Sequence, residues 1–256
     1  MAQIWVTGDI HGNPARLNTD CFPEGKSFTR EDVVEILGDF GLVWDHHGEN
    51  REEKYWLDWL ENKPWTTVAT LGNHENYKRI EKLPVEEHFG APVYVVRPHV
   101  YLLQSGYVYT INGKKIWNFN GASSHDISDG IIDSADSNWR KRAKEWDKLG
   151  RSFRIKGISW WPQEVEKDPA VYQRGIDSLE KEDYKIDFIW THCAPTQAEN
   201  MMGFFNHDRL TDYLQKIDDI FQKKGQIPMW FFGHYHNNKN VEYHKYLLYE
   251  QIVRIA

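Results

Sequence analysis

Cysteine is scarce: Cys21 and Cys193 are the only two in a chain of 256 residues. Two distant thiols exclude a disulfide framework and fit a reducing compartment. Long apolar runs are also missing, and no stretch reaches the about 18 residues a membrane span requires. At the start, Met1-Ala2-Gln3 leads directly into Ile4-Trp5-Val6 without a basic segment. No secretory signal is therefore expected, and the expected location is cytoplasmic. Positive charge is in deficit, with 31 Lys and Arg against 38 Asp and Glu and a net charge of −7. That balance argues against a broad basic surface for nucleic acid or anionic lipid. It leaves open an enzyme that handles phosphate through bound metal ions. There is no internal repeat, low-complexity tract or Pro/Gly/Ser linker, so one domain over 1–256 is expected. Histidine is plentiful by contrast, with twelve residues.

Short apolar runs at Gln3–Thr7, Val33–Leu37, Thr66–Leu71, Ile186–Thr191 and Pro228–Phe232 are rich in β-branched and aromatic residues. They lack polar alternation and read as buried strands. Arg51–Asn62 has helical spacing, and Asn76–Leu83 reads as a shorter helix. Strand followed by helix, repeated, is the α/β signature. In the middle, Val93–Val96, Val100–Gln104, Tyr107–Ile111 and Lys115–Phe119 read as successive strands, with Asn112-Gly113 as a hairpin turn. Ser123–Asp136 reads as a loop, and Asn138–Leu149, Gln163–Glu182 and Asp208–Lys223 as helical. Tyr246–Ile255 reads as a closing strand. An insert over about 122–162 is expected to rim the site.

The ends of the buried runs carry the chemistry. In order they read Gly8-Asp9-Ile10-His11-Gly12, Gly38-Asp39, Gly72-Asn73-His74-Glu75, Thr191-His192-Cys193 and Gly233-His234-Tyr235-His236. In an open α/β sheet, ligands collect outside the carboxyl ends of the strands, so these clusters should converge. Singly, each has a plain structural use as a turn, a cap or a packed histidine. As an ordered set they offer two Asp, one Asn and five His. Imidazole with carboxylate and amide oxygen suits Mn, Fe, Zn, Co or Ni rather than an all-oxygen Ca²⁺ cage. Asp9 and His11 share one side of an extended strand, as do His234 and His236. Eight ligand positions exceed one ion's needs, so two ions follow if a carboxylate bridges.

In these motifs the sequence resembles the calcineurin-like metallophosphoesterases, whose pattern runs Asp-x-His, Gly-Asp, Gly-Asn-His-(Asp/Glu), a lone His and Gly-His-x-His. The resemblance covers about residues 4–238. It implies a four-layer α/β/β/α sandwich of two mixed sheets flanked by helices, with a dinuclear metal site at the strand ends. By the same resemblance Asp9, His11 and His236 hold one divalent ion, Asn73, His192 and His234 hold the other, and Asp39 bridges. Manganese is the favoured metal. His74 is implied to be a general acid facing the leaving group, with Glu75 orienting it. The implied reaction is hydrolysis of a phosphoester by a metal-bridging hydroxide.

The expected activity is that of a phosphatase on a phosphoprotein or a small phosphorylated metabolite. The alternatives are a phosphodiesterase acting on nucleotides, cyclic nucleotides or nucleic-acid ends, and an inactive metal-binding scaffold. The protein Ser/Thr phosphatase branch has an Arg after its Gly-Asp motif, whereas this chain reads Gly38-Asp39-Phe40-Gly41-Leu42-Val43-Trp44. Arg140, Arg142 and Arg151 are candidate replacements, each also readable as a solvated charge. His125, Asp126 and Trp160 are further candidate substrate contacts, although Trp160 and Trp161 read more readily as packing the insert onto the body.

Overall fold

The protein is described by a computed structural model covering residues 2–256. The chain opens with β1 (Ile4–Thr7), β2 (Val33–Leu37), α1 (Arg51–Glu61), β3 (Thr66–Thr70) and the single turn α2 (Tyr77–Ile80). Strands β4 (Val85–His88), β5 (Ala91–Arg97), β6 (Val100–Leu103), β7 (Tyr107–Ile111) and β8 (Lys114–Phe119) follow without a helix. A small unit comes next, made of β9 (Gly130–Asp133), α3 (Trp139–Lys148) and β10 (Phe153–Lys156). After it come α4 (Pro169–Lys181), β11 (Phe188–Thr191), α5 (Thr196–Met202), α6 (Arg209–Lys224) and β12 (Met229–Phe232). Strands β13 (Lys239–Glu242), β14 (Lys245–Leu247) and β15 (Ile252–Arg254) close the chain.

Two mixed sheets result, ordered β15-β1-β2-β3-β6-β5-β4 and β13-β14-β12-β11-β8-β7. Each has four parallel strands at its centre and antiparallel strands outside them. Successive residues of a strand face opposite sides, and that alternation builds three buried layers. Val34, Ile36 and Ala69 face outward and meet Leu57 and Leu60 of α1. Ile4, Val6, Val33, Leu37 and Val68 of the first sheet face Ile116, Phe188, Trp190 and Phe231 of the second. Trp117, Phe119, Ile189 and Trp230 face outward against Leu179 of α4 and Leu214, Ile217 and Phe221 of α6. Helices, sheet, sheet and helices therefore stack in the expected four layers. Among the described residues no helix is long and apolar enough to cross a membrane.

Three expectations change in detail. Tyr246–Ile255 is not one strand: β14 belongs to the second sheet and β15 to the first, and the chain crosses between them. The crossing runs against Gly8, where a Cβ would lie 2.1 Å from Leu248 O, so only glycine admits it. Helix α4 starts later than Gln163, at Pro169, because Asp168 caps it and proline suits the first helical turn. The stretch Ser123–Asp136 contains β9, which pairs in parallel with β10.

Candidate metal centre and substrate cavity

The clusters at the carboxyl ends of β1, β2, β3, β11 and β12 meet in space. Asp9, His11, Asp39 and His236 each offer a ligand atom, all within 4.8 Å of one another. The backbone is bent to achieve this: His11, Asp39, His234 and His236 have φ of 45°, 42°, 72° and 47°. Such left-handed conformations cost about 1–3 kcal/mol each for residues other than glycine, and gather where function requires them. Two glycines let the backbone pass against the carboxylates. A Cβ at Gly72 would stand 2.2 Å from Asp39 Oδ1, and one at Gly233 would stand 2.1 Å from Asp9 Oδ1.

The donor set fits a cation. His192 Nδ1 lies 2.8 Å from the Leu37 carbonyl, which fixes its proton there and turns Nε2 toward the site. Nε2 then meets Asn73 Oδ1 at 3.2 Å and Asp39 Oδ1 at 3.2 Å. Lone pairs crowded in this way need a proton or a cation between them. Without the metal a proton serves: burial opposes the charge on His192, but Asp39 and Asp9 outweigh it and raise its pKa to about 9. Burial also opposes ionisation of Asp39, yet His192, His74 and His11 hold its carboxyl far below the usual range. A divalent cation takes the place of such protons. His11 Nε2 and His236 Nε2 are likewise only 2.9 Å apart, and His236 Nε2 is 3.3 Å from Asp9 Oδ2. His234 is neutral, its pKa pushed well down by burial and by His192 and His125. Its backbone N–H donates to Asp9 Oδ1 at 3.0 Å. Asn73 is oriented from behind: its Nδ2 donates to Ser124 Oγ at 3.2 Å, and Ser124 donates to Glu164 at 2.6 Å. Asn73 Oδ1 is thereby left for the site.

His74 stands beside this cluster, with Nε2 3.9 Å from Asp39 Oδ2. Trp44 stacks on its ring at 5.6 Å and 22°, and Trp161 meets Trp44 edge-on at 5.1 Å. Burial, opposed by Asp39 and reinforced by Arg154, pushes His74 down to about 4. Glu75 does not contact His74, contrary to expectation. It is fully buried and accepts from the backbone N–H groups of Phe40 at 2.7 Å and Gly41 at 3.3 Å. Its carboxyl satisfies the turn that carries Asp39, because those amides have no water to bond. The group that does touch His74 is Arg154, whose Nη2 donates to Nε2 at 2.6 Å.

A comparison with protein families matches the calcineurin-like phosphoesterase profile over residues 2–238. The chain belongs to the calcineurin-like phosphoesterase family. This is a hydrolase family acting on phosphoester bonds, and the site is a metal-binding cluster of the kind such chemistry uses. A search of curated proteins returns no match.

The site of this phosphoesterase opens into a cavity of about 260 Å³. Its walls include Asp39, Asn73, His74, His234 and His236 with His125, Asp126, Arg154, Phe204 and Tyr235. Of the candidate substrate contacts, His125 and Asp126 reach the cavity. His125 lies 4.3 Å from the His234 ring and 5.7 Å from Phe204, centroid to centroid. Arg140 and Trp160 are not among the lining residues. Arg140 is exposed on α3 and stacks over Trp139 at 4.5 Å, because α3 buries none of its residues. Trp160 closes the tight turn that follows β10, where the Gly157 N–H donates to its carbonyl at 2.8 Å. Arg142 and Arg151 pair with Asp136 at 3.5 Å and Asp129 at 3.9 Å within the insert. Arg154 was not singled out by sequence. Its signal was an arginine on a short strand next to an expected rim, which periodicity alone does not distinguish from Arg140 or Arg151.

Proposed function

We propose that this phosphoesterase is a phosphatase, hydrolysing monoesters of a phosphoprotein or a small phosphorylated metabolite. The observation that carries the reading is one small cavity that brings Asp39 and His236 of the carboxylate–histidine cluster together with His74 and a buried guanidinium. Two divalent ions, manganese favoured, are assigned to Asp9, His11 and His236 and to Asn73, His192 and His234, with Asp39 shared. When bound, such ions supply Lewis-acid charge to phosphoryl oxygens and lower the pKa of water.

The chain's own residues do the rest. Burial pushes His11 and His234 toward the neutral form, and the Leu37 carbonyl fixes a proton on His192 Nδ1, leaving its Nε2 for a cation. His74 is assigned to the leaving-group oxygen as the proton donor. Its ring is neutral in the free protein, and a dianionic ester alongside raises its pKa toward the protonated form. Trp44 fixes the ring plane, so the proton is delivered in one direction. The unpaired thiols Cys21 and Cys193 support a reducing, cytoplasmic setting.

The phosphodiesterase reading has one observation in its favour. Phe204, Tyr235 and His125 form an aromatic wall, with Phe204 and Tyr235 centroids 4.8 Å apart, on which a nucleobase could stack. p-Nitrophenyl phosphate and bis-p-nitrophenyl phosphate, assayed side by side with Mn²⁺, Ni²⁺ and Zn²⁺, separate the readings. Faster turnover of the monoester is expected. Faster diester turnover overturns the proposal, and no turnover by folded, metal-loaded protein points to a scaffold.

A further inference from the structure

Arg154 comes from β10 of the insert, outside every motif that places the metal cluster. Its side chain is only 7% exposed, yet it lines the cavity. A guanidinium cannot be deprotonated in a protein, so each of its N–H groups needs an acceptor. Nε donates to Asp126 Oδ1 at 2.6 Å and Nη2 to Asp126 Oδ2 at 2.7 Å, a two-point grip that fixes the plane. The outer N–H of Nη1 donates to the Ser159 carbonyl at 3.0 Å. What remains is the end of the fork between Nη1 and Nη2, and it faces the His74 ring, with Nη2 2.6 Å from Nε2. A neutral imidazole is a weak partner for that edge. A phosphoryl oxygen is a strong one, because both members of the bond are charged.

We infer that Arg154, held by Asp126, is the phosphate-binding residue that makes this site prefer monoesters. The inference rests on the phosphatase reading and deepens it. His74 stands between the fork and the metal cluster, 2.6 Å from Arg154 Nη2 and 3.9 Å from Asp39 Oδ2. A phosphoryl group bound beside His74 therefore meets the Asp39 side with some of its oxygens and Arg154 with another. When that oxygen arrives, the guanidinium exchanges His74 for it. The exchange removes the guanidinium from Nε2, so the residue that takes the phosphoryl oxygen also clears the face of His74 that the fork occupied. A diester has one terminal oxygen fewer. Its esterified oxygen is a poor acceptor, and the group attached to it points into a buried guanidinium. Arg154 thus favours the substrate with three free oxygens. Asp126 is a positioning residue, keeping the fork in place whether His74 or phosphate occupies it.

The test compares wild type, Arg154→Lys and Asp126→Asn as Mn²⁺-loaded full-length proteins, each with metal content measured. Three quantities are read: kcat/KM for p-nitrophenyl phosphate, kcat/KM for bis-p-nitrophenyl phosphate, and Kd for inorganic phosphate by calorimetry. Lysine keeps the charge and loses the fork. Arg154→Lys is expected to lower monoester kcat/KM and weaken phosphate binding, each by roughly 10- to 100-fold. Diester kcat/KM should fall by a clearly smaller factor than the monoester's, a difference in selectivity that merely structural damage would not produce. Asp126→Asn should raise the monoester KM with a smaller effect on kcat. If monoester and diester rates fall together, or phosphate binding does not change, the assignment of Arg154 is wrong. A wild-type protein that prefers the diester sinks the phosphatase reading itself, a result obtained without any variant.

Discussion

Glu35 sits on β2 between Val33 and Leu37, on the face that looks into the layer between the two sheets, and it is fully buried. Its Oε1 lies 2.9 Å from the Thr70 N–H and 2.7 Å from Thr70 Oγ1, which is itself 2.7 Å from Asn118 Oδ1. The Thr70 hydroxyl has one hydrogen and two acceptors in reach. A proton on Glu35 resolves this, since the carboxyl then donates to Thr70 and Thr70 donates to Asn118. Burial points the same way, raising the Glu35 pKa from 4.5 to about 8 despite the Thr70 bonds. A folded-state pKa above the unfolded one means that the folded protein binds the extra proton. Stability from this group is complete below about pH 4.5 and is lost as pH rises through about 8. The slope is about 1.3 kcal/mol per pH unit between pH 5.5 and 7, or about 2 kcal/mol over that window. That is a large part of the 5–15 kcal/mol expected of a folded domain. Urea unfolding of metal-free wild type and Glu35→Gln at four pH values in this window isolates the effect. Wild type should lose about 2 kcal/mol relative to the variant from pH 5.5 to 7. Parallel stability curves would show that Glu35 is already ionised, and the proposed chain of hydrogen bonds would be wrong.

Asp39→Asn should lose metal and activity together, with metal affinity falling by more than the roughly 10- to 100-fold typical of a residue one step removed from the ion. His74→Ala should keep its metal and lose roughly 10²–10⁴ in kcat; wild-type activity in this variant would end the general-acid assignment. Glu75→Ala leaves the Phe40 and Gly41 amides unpaired, costing about 1–3 kcal/mol, and should weaken metal binding while the pH–rate profile stays in place. A shifted profile with unchanged metal binding would instead return Glu75 to the role of orienting His74.

The site was more legible than its surroundings for a physical reason. Asp9, His11, Asp39 and Asn73 follow apolar parallel strands of the first sheet, and His192, His234 and His236 follow those of the second. Parallel strands in one sheet end at one edge, and the two sheets stack with these edges together. Order along the chain therefore carries position in space. The edge strands β4 and β13 are largely exposed and polar, Val-Glu-Glu-His and Lys-Asn-Val-Glu, and present no apolar period to read. Glu75 shows the limit of motif reasoning. Adjacency to His74 suggested partnership, but consecutive residues point to different sides, and the amides of Phe40 and Gly41 claimed the carboxylate. Arg154 shows the opposite limit. Its importance arises from a pairing with Asp126, 28 residues away, that only the folded insert creates. The charge balance also reads differently: a metal-binding cluster at the strand ends would place positive charge against phosphate in a chain whose net charge is −7.

The most direct test of the central claim is hydrolysis of p-nitrophenyl phosphate and its bis ester by chelated protein before and after Mn²⁺ is restored. Metal-dependent phosphatase chemistry predicts negligible rates after chelation, recovery with Mn²⁺, and a higher kcat/KM for the monoester. Activity that survives complete removal of metal, or a restored enzyme that favours the diester, would contradict it.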